Sequence, residues 1–179
     1  VWVRGSSSSS LVRGAETDTS GNWWSWSSDP FESEENDGGL SFAPQIVVDA
    51  LGNTVIAWSR TGTRLPVRLG SGDGGIFANE SVPLADAGLV GRVRVATGRL
   101  TTTGHLVVFV WEEGTGAEAG LYSSVRTPDG LYSAPTLIGR GGGFESAPML
   151  ASDSAGRVTL VWLQQIPDAG TEVHLREVE

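Results

Sequence analysis

The 179-residue chain contains no cysteine and no lysine, and it has only two histidines. Without cysteine, neither disulfides nor thiolate metal sites can form. No apolar run reaches the length of about 18 residues that a membrane-spanning helix needs, so we expect no membrane insertion. The formal net charge of −9 disfavours nucleic acid and anionic membrane surfaces as partners. The sequence therefore predicts partners of other kinds.

Motifs that mark common catalytic and cofactor sites are also absent. The sequence has no Gly-x-Ser-x-Gly elbow, no Walker loop and no dinucleotide-binding fingerprint. His105 and His174 are far apart and belong to no metal-binding pattern. Glu112 and Glu113 are adjacent near a strand end, so their side chains should point apart rather than form an acid–base pair. We therefore predict no catalytic residue, no cofactor and no metal, and we expect that the chain is not an enzyme.

A repeat marked by tryptophan is the main feature that the sequence does contain. Trp2, Trp58, Trp111 and Trp162 follow one another at intervals of 56, 53 and 51 residues. An Ala-Pro pair, an Asp and a Gly precede both Trp58 and Trp162 at the same offsets. Self-similarity at about 50 residues is typical of stacked sheets such as propeller blades. We assign the four marker tryptophans to packing between such sheets.

Hydrophobic patterns within each unit predict strands and essentially no helix. The runs VIAW, LVVFVW and VTLVW that end at the later markers are continuous. Continuous apolar runs suit strands that are covered on both faces. Residues 92–95 and 172–175 instead alternate between polar and apolar side chains. These patterns predict fourteen strands in four units, of which the first and the last are incomplete.

We therefore predict an all-β fold, a β-propeller segment built of four-stranded antiparallel blades of about 50 residues each. The units are expected near residues 1–39, 40–88, 89–141 and 142–179. An uncovered blade would expose an apolar face, so we expect either further blades of the same parent protein or self-association. The chain opens at Val1, inside an apolar strand and without Met, and we interpret it as a processed or partial chain.

The fragments APQIVVDALGNTVIAW and APMLASDSAGRVTLVW resemble bacterial propeller repeats of the sialidase-like, Asp-box-like kind. The resemblance implies a propeller in the extracellular space or cell envelope of a bacterium. In that family the Asp box is structural, and Asp18 and Asp129 are its degenerate positions in this sequence. Asp49 and Asp153 are expected to bond the amides of their own turns. A sialidase site also needs an arginine triad and a Tyr/Glu pair. Tyr122 and Tyr132 both lie on repeat strands, so such a site would need blades outside this chain.

The first unit, VWVRGSSSSSLVRGAETDTSGNWWSWSS, is similar to the repeat of tectonin-like and fucose-binding propeller lectins. This resemblance implies sugar binding and rests on Gly21–Trp26. Aromatic rings stack on the apolar faces of sugars, so Trp24 and Trp26 are candidate ligand-binding residues. Alternation in a strand places these two on one face and Trp23 on the other, so packing between blades is the alternative role.

These features lead to three functional hypotheses. The first is a non-catalytic, extracellular or surface-exposed propeller module that binds or scaffolds protein or glycan partners. The alternative is a sugar-binding lectin propeller. The second alternative is a fragment of a sialidase-like glycoside hydrolase.

Overall fold

The computed structural model of the chain describes the backbone in a series of ranges, and it describes side chains from residue 43 onward except at 166. The described ranges are residues 2–5, 10–17, 23–27, 41–49, 51–60, 65–71, 78–85, 90–99, 104–115, 119–140, 147–166 and 170–178. Within these ranges every regular element is a strand. The structure contains no helix there that could cross a bilayer.

The strands form four antiparallel sheets in which neighbours follow one another along the chain. Sheet 1 contains Trp2–Gly5 (β1), Ser10–Thr17 (β2) and Trp23–Ser27 (β3). Sheet 2 contains Ser41–Val48 (β4), Thr54–Arg60 (β5), Leu65–Gly70 (β6) and Ala78–Val82 (β7). Sheet 3 contains Val90–Arg99 (β8), His105–Glu113 (β9), Gly120–Arg126 (β10) and Thr136–Arg140 (β11). Sheet 4 contains Met149–Ser152 (β12), Val158–Ile166 (β13) and Gly170–Val178 (β14).

The predicted fold class is confirmed as an all-β propeller segment of four-stranded antiparallel blades, with three strands in the first and last sheets. Each sheet is an up-and-down meander. Neighbouring sheets contact each other mainly through the first strand of the later sheet. Strand β8 lies against β4 and β5 of the preceding sheet and against β12 and β13 of the following one. Strand β4 lies in the same way against β1 and β2. The sheets formed by the described strands do not close into a ring.

The continuous apolar run of β9 is explained by a core on each of its faces. Val107, Phe109 and Trp111 pack into the cluster shared with sheet 2. Val108 and Val110, which alternate with them, pack into the cluster shared with sheet 4. Burying each such side chain contributes about 1.5–3 kcal/mol to folding. A middle strand therefore cannot use polar residues on either face over most of its length.

The marker tryptophans lie in these cores where the structure describes their side chains. Trp58, Trp111 and Trp162 are 1%, 0% and 7% exposed, which confirms their assignment to packing. Trp111 belongs to the cluster with sheet 2, and Trp162 belongs to the cluster with sheet 3. Each of these two indoles thus covers the sheet that precedes it along the chain. The side chain of Trp2 lies outside the described part.

The repeated Ala-Pro pair has a conformation that the sequence pattern did not predict. Ala43 and Ala147 have positive φ angles of 49° and 41°. In sheet 2 the ladder between β4 and β5 shifts register between Phe42 and Gln45, around this pair. Non-glycine residues in this region are strained by about 1–3 kcal/mol. The same strained residue occurs at equivalent places in sheets 2 and 4, so it is part of the repeat.

Candidate functional site

A cleft of about 350 Å³ opens between sheets 2 and 3, where β5 and β9 begin and β10 ends. Its walls combine aliphatic side chains with polar groups of five chemical kinds: carboxylate, amide, hydroxyl, imidazole and guanidinium. The lining residues that matter most are Leu51, Asn53, His105, Arg126 and Pro128. The cleft therefore offers an apolar surface and hydrogen-bonding groups side by side.

A second cleft, of about 450 Å³, lies between sheets 3 and 4 at the same end of the strands. It shares Leu51 and His105 with the first cleft, so the two spaces adjoin. Arg99 and Gly156 line the second cleft, and the amide of Arg99 donates a 2.9 Å hydrogen bond to the carbonyl of Gly156. That bond holds sheet 3 against the turn of sheet 4. Together the clefts form a groove across three sheets.

Asp49 holds the turn that forms one wall of the first cleft. Its Oδ1 accepts hydrogen bonds from the amides of Leu51 and Asn53, each at 2.8 Å. Its Oδ2 accepts a 2.8 Å bond from the side-chain amide of Asn53. Gly52 completes the turn with a φ of 84°, which favours glycine. The predicted structural role of Asp49 is confirmed.

Asp153 builds the matching turn beside the second cleft. Its Oδ1 accepts hydrogen bonds from the amides of Ala155 and Arg157, at 2.9 and 3.0 Å. The Arg157 guanidinium also bonds Oδ2 of Asp153, at 2.7 Å from Nη2. The bond from the Arg157 amide, followed by that from its side chain, lowers the pKa of Asp153. Gly156 has the φ of 84° that Gly52 has, so the repeat extends to the details of the turn.

Arg126 is fixed in the first cleft by an ion pair between sheets 2 and 3. Its Nε and Nη2 donate to the two carboxylate oxygens of Glu80 at 2.7 and 2.8 Å. The hydroxyl of Tyr132 donates to the same carboxylate at 2.6 Å. The Arg126 guanidinium also lies 5.9 Å from the centre of the Tyr132 ring. A guanidinium held in this way by a carboxylate loses little further freedom when it binds a ligand.

The three groups of this cluster shift one another's pKa values. Burial by itself would raise the pKa of Glu80, but hydrogen bonds from Arg126 and Tyr132 outweigh it and lower that pKa. The hydrogen bond with Glu80 raises the pKa of Arg126. Burial, followed by the hydrogen bond to Glu80, raises the pKa of Tyr132. Glu80 and Arg126 are therefore charged, and Tyr132 is neutral, across the physiological range.

His105 is the half-buried first residue of β9 and lines both clefts. Its imidazole makes no hydrogen bond to the described residues. It stands six residues before Trp111, at the offset where Gly52 and Gly156 precede their own tryptophans. This departure from the repeat is the sequence feature that could have identified His105. Sequence reasoning missed it because His105 belongs to no metal-binding pattern.

The adjacent glutamates lie at the opposite end of β9, away from the clefts. Both are buried, and they face opposite sides of the strand as the sequence predicts. Oε2 of Glu113 accepts hydrogen bonds from Trp111 Nε1 at 2.8 Å and from the amide of Ala85 at 3.2 Å. Oε2 of Glu112 accepts from the amide of Arg92 at 3.3 Å. These carboxylates link neighbouring segments and do not form a facing acid–base pair.

Trp24 and Trp26, the predicted ligand-binding residues, both lie in β3. They pair across the ladder with Glu16 and Gly14 of β2. Their side chains are outside the described part of the structure, so sugar stacking by these two residues stays a prediction. Among the residues that the structure describes, no group of three potential metal ligands comes together.

The chain has a distant structural likeness among known proteins. No protein-family model and no curated protein sequence matches it. A solved structure that resembles it is an endo-arabinase from Bacteroides thetaiotaomicron, with 11% sequence identity and a TM-score of 0.47. The match covers 99% of this chain and 73% of that one. This likeness to an enzyme contradicts the expectation that the chain is not an enzyme, but a match at this identity and TM-score assigns no activity to the chain.

Proposed function

We propose that this chain recognises carbohydrate in the groove formed by the two adjoining clefts, as part of a propeller that acts on glycans. The observation that carries the proposal is the sharing of Leu51 and His105 by two clefts of about 350 and 450 Å³. Ligand sites typically measure about 300–1,000 Å³. Two joined spaces of this size fit successive rings of an oligosaccharide better than one compact ligand.

The chemistry of the walls supports a sugar over other ligand classes. A sugar ring presents C–H faces and a rim of hydroxyl groups, and it therefore needs aliphatic surface beside hydrogen-bonding groups. Leu51 and Pro128 supply such surface in the first cleft. His105 and the fixed guanidinium of Arg126 supply the hydrogen-bonding groups. The net charge of −9 disfavours polyanionic ligands, so we propose neutral glycans.

Binding to an array of neutral oligosaccharides, including arabino-, xylo- and fucosyl-oligosaccharides, tests the proposal. The tightest ligand is then titrated by calorimetry into the protein and into two matched variants. His105→Ala should weaken binding about two- to twelvefold, because one hydrogen bond contributes about 0.5–1.5 kcal/mol. His174→Ala removes the same side chain from β14 and should leave affinity unchanged. The same ligands are assayed for cleavage, since binding and hydrolysis are compatible.

The result also separates the groove from the tryptophan pair of sheet 1. If Trp24→Ala and Trp26→Ala abolish binding while His105→Ala does not change it, the site is the lectin-like strand and the proposed groove is wrong. Absence of binding across the whole array would contradict carbohydrate recognition in either place. The predicted extracellular or cell-envelope location stays a prediction.

A further inference from the structure

The outer face of sheet 4 is apolar and exposed, although equivalent faces elsewhere in the fold are buried. Val173 and Leu175 of β14 are each 71% exposed, and Met149 of β12 is 68% exposed. Leu163 lies on the same face, because it pairs with Val173 across the ladder. Soluble proteins rarely leave such a contiguous apolar patch uncovered.

The ladders identify what this face corresponds to in the other sheets. Leu175 pairs with Val161, the residue before Trp162, and Val67 pairs with Ala57, the residue before Trp58. Leu175 is therefore the equivalent of Val67, and Val173 is the equivalent of Leu65, two residues earlier. Leu65 and Val67 are both 0% exposed, because sheet 3 covers them. The outer face of sheet 4 thus repeats a surface on which a further sheet packs.

At both described interfaces, the sheet that packs on such a surface contributes an apolar strand with a marker tryptophan. Sheet 3 covers sheet 2 with an apolar strand that carries Trp111, and sheet 4 covers sheet 3 with one that carries Trp162. Strand β1 carries Trp2 at the same position of the repeat. Within one chain sheet 1 does not cover sheet 4, since Val173 and Leu175 are exposed.

We propose that sheet 1 of a second copy of this chain packs on the outer face of sheet 4. Each contact joins two different surfaces, sheet 1 of one copy and sheet 4 of the other. A two-fold arrangement makes this contact twice, so that two copies close a ring of eight sheets. Closure matters because a heterologous contact that does not close would propagate into a filament. Eight sheets lie within the range of about four to eight blades that closed propellers have. Both copies carry a net charge of −9, so added salt should strengthen the dimer.

Sedimentation equilibrium of the 179-residue chain at moderate salt tests this interface. We expect the mass of two chains, against 18.8 kDa for one. Val173→Glu and Leu175→Glu should each reduce the mass to that of a single chain, because they place a charge in the apolar contact. Leu131→Glu replaces an equally exposed leucine in the turn after β10 and should leave the dimer intact. Circular dichroism verifies that each variant is folded.

Cross-linking distinguishes the proposed contact from a symmetric one. The chain has no cysteine, so Leu175→Cys and Arg4→Cys each introduce a single thiol, the second of them in β1. A bis-maleimide should join the two variants when they are mixed, and it should not join Leu175→Cys to itself. A monomeric chain, a dimer that survives both glutamate variants, or self-linking of Leu175→Cys would each overturn the proposal. A monomer would mean that this face belongs to a sheet of another chain or segment.

Discussion

Replacing Gly156 with alanine should destabilise the contact between sheets 3 and 4 far more than the same change at Gly170. Both glycines have positive φ angles, 84° and 91°, so both variants carry the left-handed strain of about 1–2 kcal/mol. An added Cβ at Gly156 would lie 2.1 Å from the Cβ and 2.8 Å from the backbone nitrogen of Arg99. At Gly170 it would meet nothing within 4 Å. The difference between the two variants therefore isolates the steric effect.

A side-chain rotation cannot relieve the clash at Gly156, because the Arg99 atoms involved are backbone atoms and Cβ, which no rotation of the side chain moves. The turn must move away from β8, which weakens the 2.9 Å bond between the Arg99 amide and the Gly156 carbonyl. Overpacking typically costs about 1–3 kcal/mol, and a lost hydrogen bond costs about 1 kcal/mol more. We expect Gly156→Ala to lower the free energy of unfolding by about 3–6 kcal/mol and Gly170→Ala by about 1–2 kcal/mol.

Urea denaturation followed by tryptophan fluorescence measures both values, since Trp162 is buried between the same two sheets. Equal losses of stability in the two variants would refute the reasoning. That result would mean that the turn of sheet 4 does not press on the end of β8.

Two further predictions concern the walls of the first cleft. Glu80→Gln should remove part of the stability that is lost on acidification. The lowered pKa of Glu80 stabilises the fold at pH values above the unfolded pKa of 4.5, and that stability disappears as the pH falls through the folded pKa. Thermal melts between pH 7 and pH 3 should therefore show a shallower decline of Tm in the variant than in the parent. An identical decline would contradict the ion pair. Asp49→Ala should lower the free energy of unfolding by about 1.5–4.5 kcal/mol because three hydrogen bonds are lost, each contributing about 0.5–1.5 kcal/mol. Asp49→Asn should recover most of this loss in urea melts, and failure to do so would show that the turn needs the charge.

The spacing of the tryptophans and the continuous apolar runs were sufficient to predict the blades. The apolar runs VIAW, LVVFVW and VTLVW, which predicted strands, lie within β5, β9 and β13 of the structure. This success has a physical reason: a middle strand covered on both faces must be apolar throughout, and that requirement is visible in the residues themselves. The turns at Asp49 and Asp153 were predictable for a similar reason, since their hydrogen bonds are local.

The groove was not predictable, because its residues come from different sheets. Leu51 of sheet 2 and His105 of sheet 3 are 54 positions apart, and Glu80 of sheet 2 reaches Arg126 of sheet 3 across 46 positions. The left-handed conformation of Ala43 and Ala147 was likewise absent from the sequence pattern, because alanine before proline normally favours extended backbone.

The sequence by itself determined the repeat, the strands and the residues that face a core, since each depends on hydrophobic periodicity or on bonds within a few positions. Only the tertiary structure decided which polar groups meet between sheets and which apolar face remains exposed. Leu65 and Val173 occupy the same position of the repeat, yet one is buried and the other is exposed. The difference lies in whether a further sheet packs above them, and that is a property of the assembled fold.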